Sequence, residues 1–374
     1  MKVEIEKEKL LRALGRVQNI VERRTTIPIL GNVLLVTEDQ KLCLMTTDME
    51  MEAFERVPAQ IARGGQATVP AHMMFDIVRK LPDRAMVTME LDGSQMLLAA
   101  GRSRFRLGSL PVEDFPQISR DEFPNRFSMP VADLRFLIDH TRMAIAADDA
   151  RHYLQGLYLH LENASEGESP MLRAVAVDGH RMARAERAVP AAARGMPAVI
   201  IPRKAVNELR RLLDEADDGM VELAVTMTKA RFAMGSVSLT TRLVDGQFPD
   251  YRRVVPAGND RVLEIDSRAF TQAVDRVAIM SLDSGRLMHL SMDDGHLNVS
   301  ASSSQDGSTA SEDLEASYKG PKLDMGFSSR YLLDVLQLIP EGTVRFTLGE
   351  AMSPAVVEDA SDPSTLYVLM PIRL

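Results

Sequence analysis

Ile200-Ile-Pro-Arg-Lys-Ala-Val-Asn-Glu-Leu-Arg-Arg-Leu-Leu213 is the stretch that decides how this chain is read. Val206, Leu209 and Leu212 or Leu213 share one helical face, Pro202 stands at the entrance, and Lys204, Arg210 and Arg211 lie on the polar side. A matching stretch, Thr68-Val-Pro-Ala-His-Met-Met-Phe-Asp-Ile-Val-Arg-Lys-Leu81, lies earlier in the chain, and a weaker one, Met325-Gly-Phe-Ser-Ser-Arg-Tyr-Leu-Leu-Asp-Val-Leu336, lies later. The spacing is close to a third of the 374 residues, which is the signature of an internal repeat.

Working outward, each copy of this element is preceded by a short strand that feeds an amphipathic helix. The three are Val3-Glu-Ile-Glu with Leu10, Leu14 and Val17; Phe127-Ser-Met-Pro with Leu134, Ile138 and Thr141; and Leu263-Glu-Ile-Asp with Phe270, Val274 and Val277. Asp266 or Ser267 can cap the third helix, and Asp133 sits in the first turn of the second, where a carboxylate favours the helix dipole. Strand-rich stretches follow, among them alternating runs that end at acidic turns, Leu42 to Asp48 and Leu172 to Asp178, and a degenerate third copy at 297–302. Asp92-Gly93 reads as a two-residue hairpin turn. The fold expected is α+β: three tandem domains, 1–124, 125–257 and 258–374, each with two helices against a mostly antiparallel sheet. The polar segment 120–125 reads as a linker, and 163–170 and 302–308 as exposed loops.

A chain with 45% apolar and 26% charged residues can bury a sizeable core. Its start, Met1-Lys-Val-Glu-Ile-Glu-Lys-Glu-Lys9, lacks the apolar core of a secretory signal, and no run is long enough to span a membrane, so a cytoplasmic protein is expected. The single cysteine, Cys43, excludes an internal disulfide and reads as a buried strand residue.

The net charge of −9 argues against nucleic acid at first, but its distribution does not. The six predicted helices, 6–18, 71–81, 131–143, 203–214, 267–277 and 329–338, together carry +6 and leave −15 on the rest of the chain. If they share one surface, that surface is basic on an acidic body. With only 5% aromatic residues and none interleaved with the basic positions, backbone contact with duplex fits better than stacking on unpaired bases.

No phosphate-binding glycine loop and no metal-ligand spacing of histidines is present, so neither nucleotide chemistry nor metal binding is indicated. The most enzyme-like group is Asp178-Gly-His-Arg181, read either as a hydrolase site built on Asp178, His180 and Arg181 or as a hairpin turn. A tandem-repeat scaffold that binds proteins and no DNA is the other alternative.

The ordered set Ile27-Pro-Ile-Leu-Gly-Asn32, Thr47-Asp-Met-Glu-Met51, Gly101-Arg-Ser-Arg-Phe105, Asp178-Gly-His-Arg181, Ile201-Pro-Arg-Lys204, Leu243-Val-Asp-Gly-Gln-Phe-Pro-Asp-Tyr-Arg-Arg253, Tyr331-Leu-Leu-Asp-Val-Leu336 and Met370-Pro-Ile-Arg-Leu374 resembles the bacterial DNA polymerase III beta subunit, or sliding clamp, family. The resemblance implies a non-catalytic processivity factor: a head-to-tail homodimeric ring of six domains around double-stranded DNA, bound without regard to sequence. It implies no cofactor, since ATP belongs to the clamp loader. The partners it implies are the polymerase III alpha subunit, the loader, and other polymerases and repair proteins carrying clamp-binding peptides.

By the same resemblance, Arg24, Arg203 and Lys204 contact the DNA backbone, and Lys80 joins them by its place on a basic helix. The ring contact sets Arg102, Arg104, Phe105 and Leu107 against Ile279, Met280, Glu312 and Asp313 of the neighbour. The partner-peptide groove, between the second and third domains, falls on Arg151, Leu154, Val177, Gly179, His180, Arg181, Met182, Pro249, Arg253, Val254, Val368, Met370, Pro371, Ile372 and Arg373. Val177 stands where the family often has threonine, His152 where it often has tyrosine, and Pro354 departs at the groove edge.

Overall fold

The computed structural model describes residues 1–118, 122–162, 169–216, 219–281, 286–303 and 305–374. Most of the expected loop 163–170 and part of the linker 120–125 lie outside them, as does one residue of the loop 302–308. Six α-helices lie among the described residues: α1 (Lys7–Val17), α2 (Ala71–Lys80), α3 (Val131–Asp139), α4 (Arg203–Glu215), α5 (Ser267–Ala278) and α6 (Ser329–Leu336). Each lies within a stretch that the apolar spacing marks, to within a residue or two, except that α3 stops at Asp139, short of the expected 143. Of the two candidate caps for α5, Asp266 is the one used, accepting from the Ala269 N–H at 2.8 Å. Ser267 instead turns its hydroxyl inward to the Ile339 carbonyl.

Among the described residues every strand pairing is antiparallel, and the strands form four sheets divided between two compact units. The first unit comprises Met1–Leu134, Pro190–Pro197 and Lys204–Leu243, and holds a five-stranded and an eight-stranded sheet. In it α1 packs on α2 and on the strand Met51–Pro58, burying Leu10, Leu14 and Val17. Each such side chain contributes about 1.5–3 kcal/mol. The second unit comprises Arg135–Val189, Ala198–Arg203 and Val244–Leu374, and holds a nine-stranded and a four-stranded sheet. There α5 packs on α6, and Phe270, Val274, Leu332 and Leu336 are buried.

The units do not coincide with the repeats, and the reason is strand pairing. Val237–Arg242, the last strand of the second repeat, pairs with Met51–Pro58 of the first, Val237 opposite Glu55 and Thr241 opposite Met51. Arg181–Ala188, also of the second repeat, pairs with the final strand Asp362–Leu369 of the third. The middle repeat therefore gives part of its strands to each unit. A smaller departure lies at Asp92, which still pairs with Gln95, so the connecting residues are Gly93 and Ser94, with Gly93 at φ +56°. Cys43 is buried in the strand Lys41–Thr47, as its alternating context suggests.

Candidate functional site

The acidic turn at Asp178 joins the strands Met171–Val177 and Arg181–Ala188. Asp178 Oδ1 accepts from the His180 and Arg181 N–H groups, each at 2.9 Å, which closes the turn. Gly179 takes φ +88°, and a Cβ there would lie 3.2 Å from Arg151 Nη2, so glycine serves both backbone and neighbour.

Arg181 is only 6% exposed, and each guanidinium nitrogen has an acceptor. Nε donates to Asp178 Oδ2 at 3.0 Å, Nη1 to Asp334 Oδ2 at 2.6 Å, and Nη2 to the Met143 carbonyl. Its Cζ lies 4.3 Å from the centroid of the Tyr331 ring, which also stacks on His180 with centroids 6.2 Å apart. Arg181 thus ties the turn to α6 and to the segment after α3. Asp178 spends its oxygens on Arg181 and on the turn, while the His180 ring faces Tyr331. The hydrolase reading needs a carboxylate that orients the imidazole, and this turn does not provide it.

Beside the turn is a cavity of about 490 Å³ lined by Met143, Ile145–Asp149, Arg151, Asp178–Arg181, Arg203, Arg330 and Tyr331. On its wall Arg151 donates to Asp149 at 2.7 Å, and this hydrogen bond, with the Arg151 N–H, holds the Asp149 carboxyl down to about 2. Under the turn lies an apolar cluster that gathers Leu154, Val177, Met182 and Val368 with Phe248 and Tyr251, and Val254 packs against it. Leu154, Met182 and Val368 are at most 2% exposed, so they form a floor rather than an open surface. Pro249 and Arg253 are exposed near it, with Arg253 3.2 Å from Asp250.

The chain end closes this region. The Met370 N–H donates to the His180 carbonyl at 2.9 Å, and the Ile372 N–H donates to the Gly326 carbonyl at 2.7 Å. Met370 and Ile372 are 39% and 38% exposed, so their side chains offer apolar surface. Pro371 is half-buried and Arg373 exposed. The resemblance gives these tail residues to the groove but not Asp149, Met143, Arg330, Tyr331 and Asp334. The last three are one turn of α6, and their i, i+4 spacing of Arg330 and Asp334 was the available signal.

A polar network backs the floor. His160 Nε2 lies 3.0 Å from the Tyr251 hydroxyl, which also accepts from Arg173 Nη1 at 3.1 Å, and Arg173 bridges Glu162 and Glu186. Burial pushes the His160 imidazole below its ordinary value.

The cations expected to face DNA are less uniform than their sequence suggests. Arg24 and Lys80 are exposed. Arg203 donates to the Ile145 carbonyl at 3.1 Å. Lys204 Nζ lies 2.6 Å from Asp48 Oδ2 and 3.2 Å from Glu22 Oε1. Burial disfavours its charge, but Asp48 and then Glu22 outweigh that and raise its pKa. Arg210 pairs with Asp214, and Arg211 pairs with Glu208 and Glu215, each at 2.5 Å. Arg16 of α1 joins this network through Glu215 and Glu55, both at 3.2 Å. The polar face of α4 is consequently a set of ion pairs more than a bare basic stripe.

Two of the sheet-ending strands carry opposite charge. Ser103–Gly108 closes the five-stranded sheet and carries Arg104 and Arg106, with Arg102 just before it. Thr309–Glu315 closes the four-stranded sheet and carries Glu312, Asp313 and Glu315. Leu107 is buried in its own sheet, and Phe105 is half-buried. Ile279, just past α5, is 63% exposed, and Met280 follows it. Glu312 pairs with Arg276 at 2.5 Å, which lowers its pKa, and Asp313 accepts from Asn298 at 2.8 Å.

Three family models match the chain in order: the N-terminal domain of the DNA polymerase III beta subunit over residues 1–119, its central domain over 128–250 and its C-terminal domain over 252–373. The chain belongs to the DNA polymerase III beta subunit family. A beta sliding clamp of Caulobacter vibrioides is 44% identical and one of Escherichia coli 39% identical, each covering 100% of both chains. Among solved structures, a Caulobacter crescentus beta sliding clamp superposes with a TM-score of 0.96 at 44% identity, and one from Bartonella birtlesii bound to griselimycin with 0.95 at 41%. Both cover 100% of each chain. Beta subunits are sliding clamps, non-catalytic processivity factors in DNA replication, and that is the function of this chain. Among the described residues no helix is long and apolar enough to cross a membrane.

Proposed function

We propose that two copies of this chain close head to tail into a ring around duplex DNA, in the cytoplasm, with repeat boundaries at 1–124, 125–257 and 258–374. The observation that carries this reading is the pair of sheet-ending strands of opposite charge, Ser103–Gly108 with its arginines and Thr309–Glu315 with its carboxylates. An exposed strand edge is a template for another chain, and complementary charge selects which edge it takes. Because the two edges differ, the contact is heterologous and closes only when the rotation per copy completes a circle. Exposed Ile279 with Met280 supplies an apolar patch beside the charged rim.

Inside such a ring Arg24, Lys80, Arg203 and Lys204 meet phosphates, where contacts are sequence-independent and weakened by salt. Topology then retains the DNA, so the contacts themselves need hold only loosely. The groove formed by the Asp178 turn, the cluster around Leu154 and Val177, Val254 and the tail Met370–Arg373 takes a short peptide with a glutamine and apolar anchors. That peptide is the common handle of the polymerase alpha subunit, the loader and the other partners.

Retention on DNA tests the ring. The protein is loaded onto nicked circular plasmid by a clamp loader with ATP, the salt is raised, and half the sample is linearised. Protein that stays on circles and leaves linear DNA is held by topology. Equal loss from both, with loading verified, sinks the ring and favours a scaffold.

A further inference from the structure

The chain end meets the four-stranded sheet at Gly326. It lies in the sheet-ending strand Leu323–Ser328, forms an antiparallel bridge with Ile372, and accepts the Ile372 N–H at 2.7 Å. A Cβ on Gly326 would stand 2.5 Å from the Ile372 carbonyl oxygen, and 3.0 Å from Leu374 Cδ2 and Leu287 Cδ1. The two leucine contacts are ends of flexible side chains and can move. The Ile372 oxygen is backbone and can retreat only if the tail moves with it.

The repeats show that strand and helix do not themselves demand glycine here. The aligned positions are Thr68 in the first repeat and Ile200 in the second, and each leads into its helix through the same strand. At Ile200 the chain beyond the last strand still arrives, the Val244 N–H donating to the Ile200 carbonyl at 2.9 Å, with a side chain present. In the third repeat the space of that side chain is taken by the backbone of the tail.

We propose that Gly326 is a positioning residue of the partner groove: its missing side chain seats the tail, so that Met370 and Ile372 form the groove wall. The inference rests on the groove reading above. The tail is pinned at Met370 to His180 and at Ile372 to Gly326, so losing the second pin frees the wall while the first residue stays tethered. Gly326 need not touch the peptide.

The test uses the full-length protein and a fluorescein-labelled peptide carrying one glutamine and two leucines, read by anisotropy. Gly326→Ala is expected to weaken binding by about tenfold or more, the loss that accompanies one anchoring contact. The Ile372 amide should exchange faster with solvent in hydrogen exchange, while the thermal midpoint and the mass in solution stay unchanged. Removal of 370–374 should weaken binding at least as much, and Gly326→Ala added to that truncation should change nothing further. Should Gly326→Ala fold poorly, Ile372→Pro removes the same N–H from the tail side and should cost more affinity than Ile372→Ala. Wild-type affinity in Gly326→Ala with a released Ile372 amide overturns the proposal. So does lost affinity with that amide still protected, or a further loss in the truncated background. Wild-type affinity in the truncation alone instead refutes the groove.

Discussion

Lys204 Nζ sits 2.6 Å from Asp48 Oδ2, and the aligned position in the third repeat, Arg330, lies 4.0 Å from Asp334. Asp48 and Asp178 close the same kind of turn, Asp48 Oδ1 accepting from the Glu50 and Met51 N–H groups. At Asp178 the second oxygen serves Arg181 of its own turn; at Asp48 it serves the helix lysine instead. Two carboxylates thus occupy a cation proposed to meet phosphate. Asp48→Asn with Glu22→Gln keeps the turn acceptor but releases Lys204. Binding to linear duplex should strengthen at low salt, and the slope of log affinity against log salt should steepen by about one. An unchanged slope would remove Lys204 from the phosphate contacts.

Arg181→Met is expected to destabilise the second unit by about 3 kcal/mol, because Asp178, Asp334 and the Met143 carbonyl lose one shared cation that is itself buried. Urea denaturation gives the magnitude. A loss below about 1 kcal/mol would mean that water replaces the guanidinium at little cost.

Ile279→Ala combined with Met280→Ala should yield a species of 41.4 kDa in light scattering, the mass of one chain. The exposed Ile279 makes no demand on the fold of its own unit, so the thermal midpoint should hold. A mass of two chains would contradict the head-to-tail contact drawn here.

Burial disfavours the charged imidazole of His160, with Tyr251, Arg173, Glu162 and Arg252 around it. The folded value lies below the ordinary 6.5, so the unfolded chain binds the proton first. The stability this gives is complete above about 6.5 and is lost as the pH falls through the folded value. His140, also pushed down by burial, adds a slope of the same sign. Denaturation midpoints should therefore fall on acidification from about pH 7 to pH 5, and less steeply in His160→Gln. Parallel profiles for the two proteins would show that His160 is not the source.

The helices were legible because each needs only its own residues: the apolar spacing of α4 and the cap at Asp266 are local facts. The Asp178 turn was legible for the same reason, and the resemblance places together Leu154, Val177, Met182 and Val368, which share one cluster. What the residues could not display is pairing between distant segments. Nothing local tells that Val237 lies opposite Glu55, or that Arg181 spends itself on Asp334 rather than on a ligand. The basic face of α4 misled for a related reason, since Glu208 and Glu215 pair with Arg211 within the helix while Asp48 reaches Lys204 from a distant turn. Nothing local to Gly326 tells that the tail lies on it.

The strand pairing of the middle repeat has a bearing on how this chain comes apart. A repeat that lends strands to two sheets has no private core to retain when its neighbours melt, so the period of the sequence and the period of cooperativity are out of phase. Slow hydrogen exchange should fall into two blocks that divide the middle repeat internally, and not into three that follow the repeats. Excising the middle third should leave two segments with unpaired edges in place of a shorter version of the same protein. A triplicated sequence has in this way become a chain whose copies can no longer be counted by unfolding it.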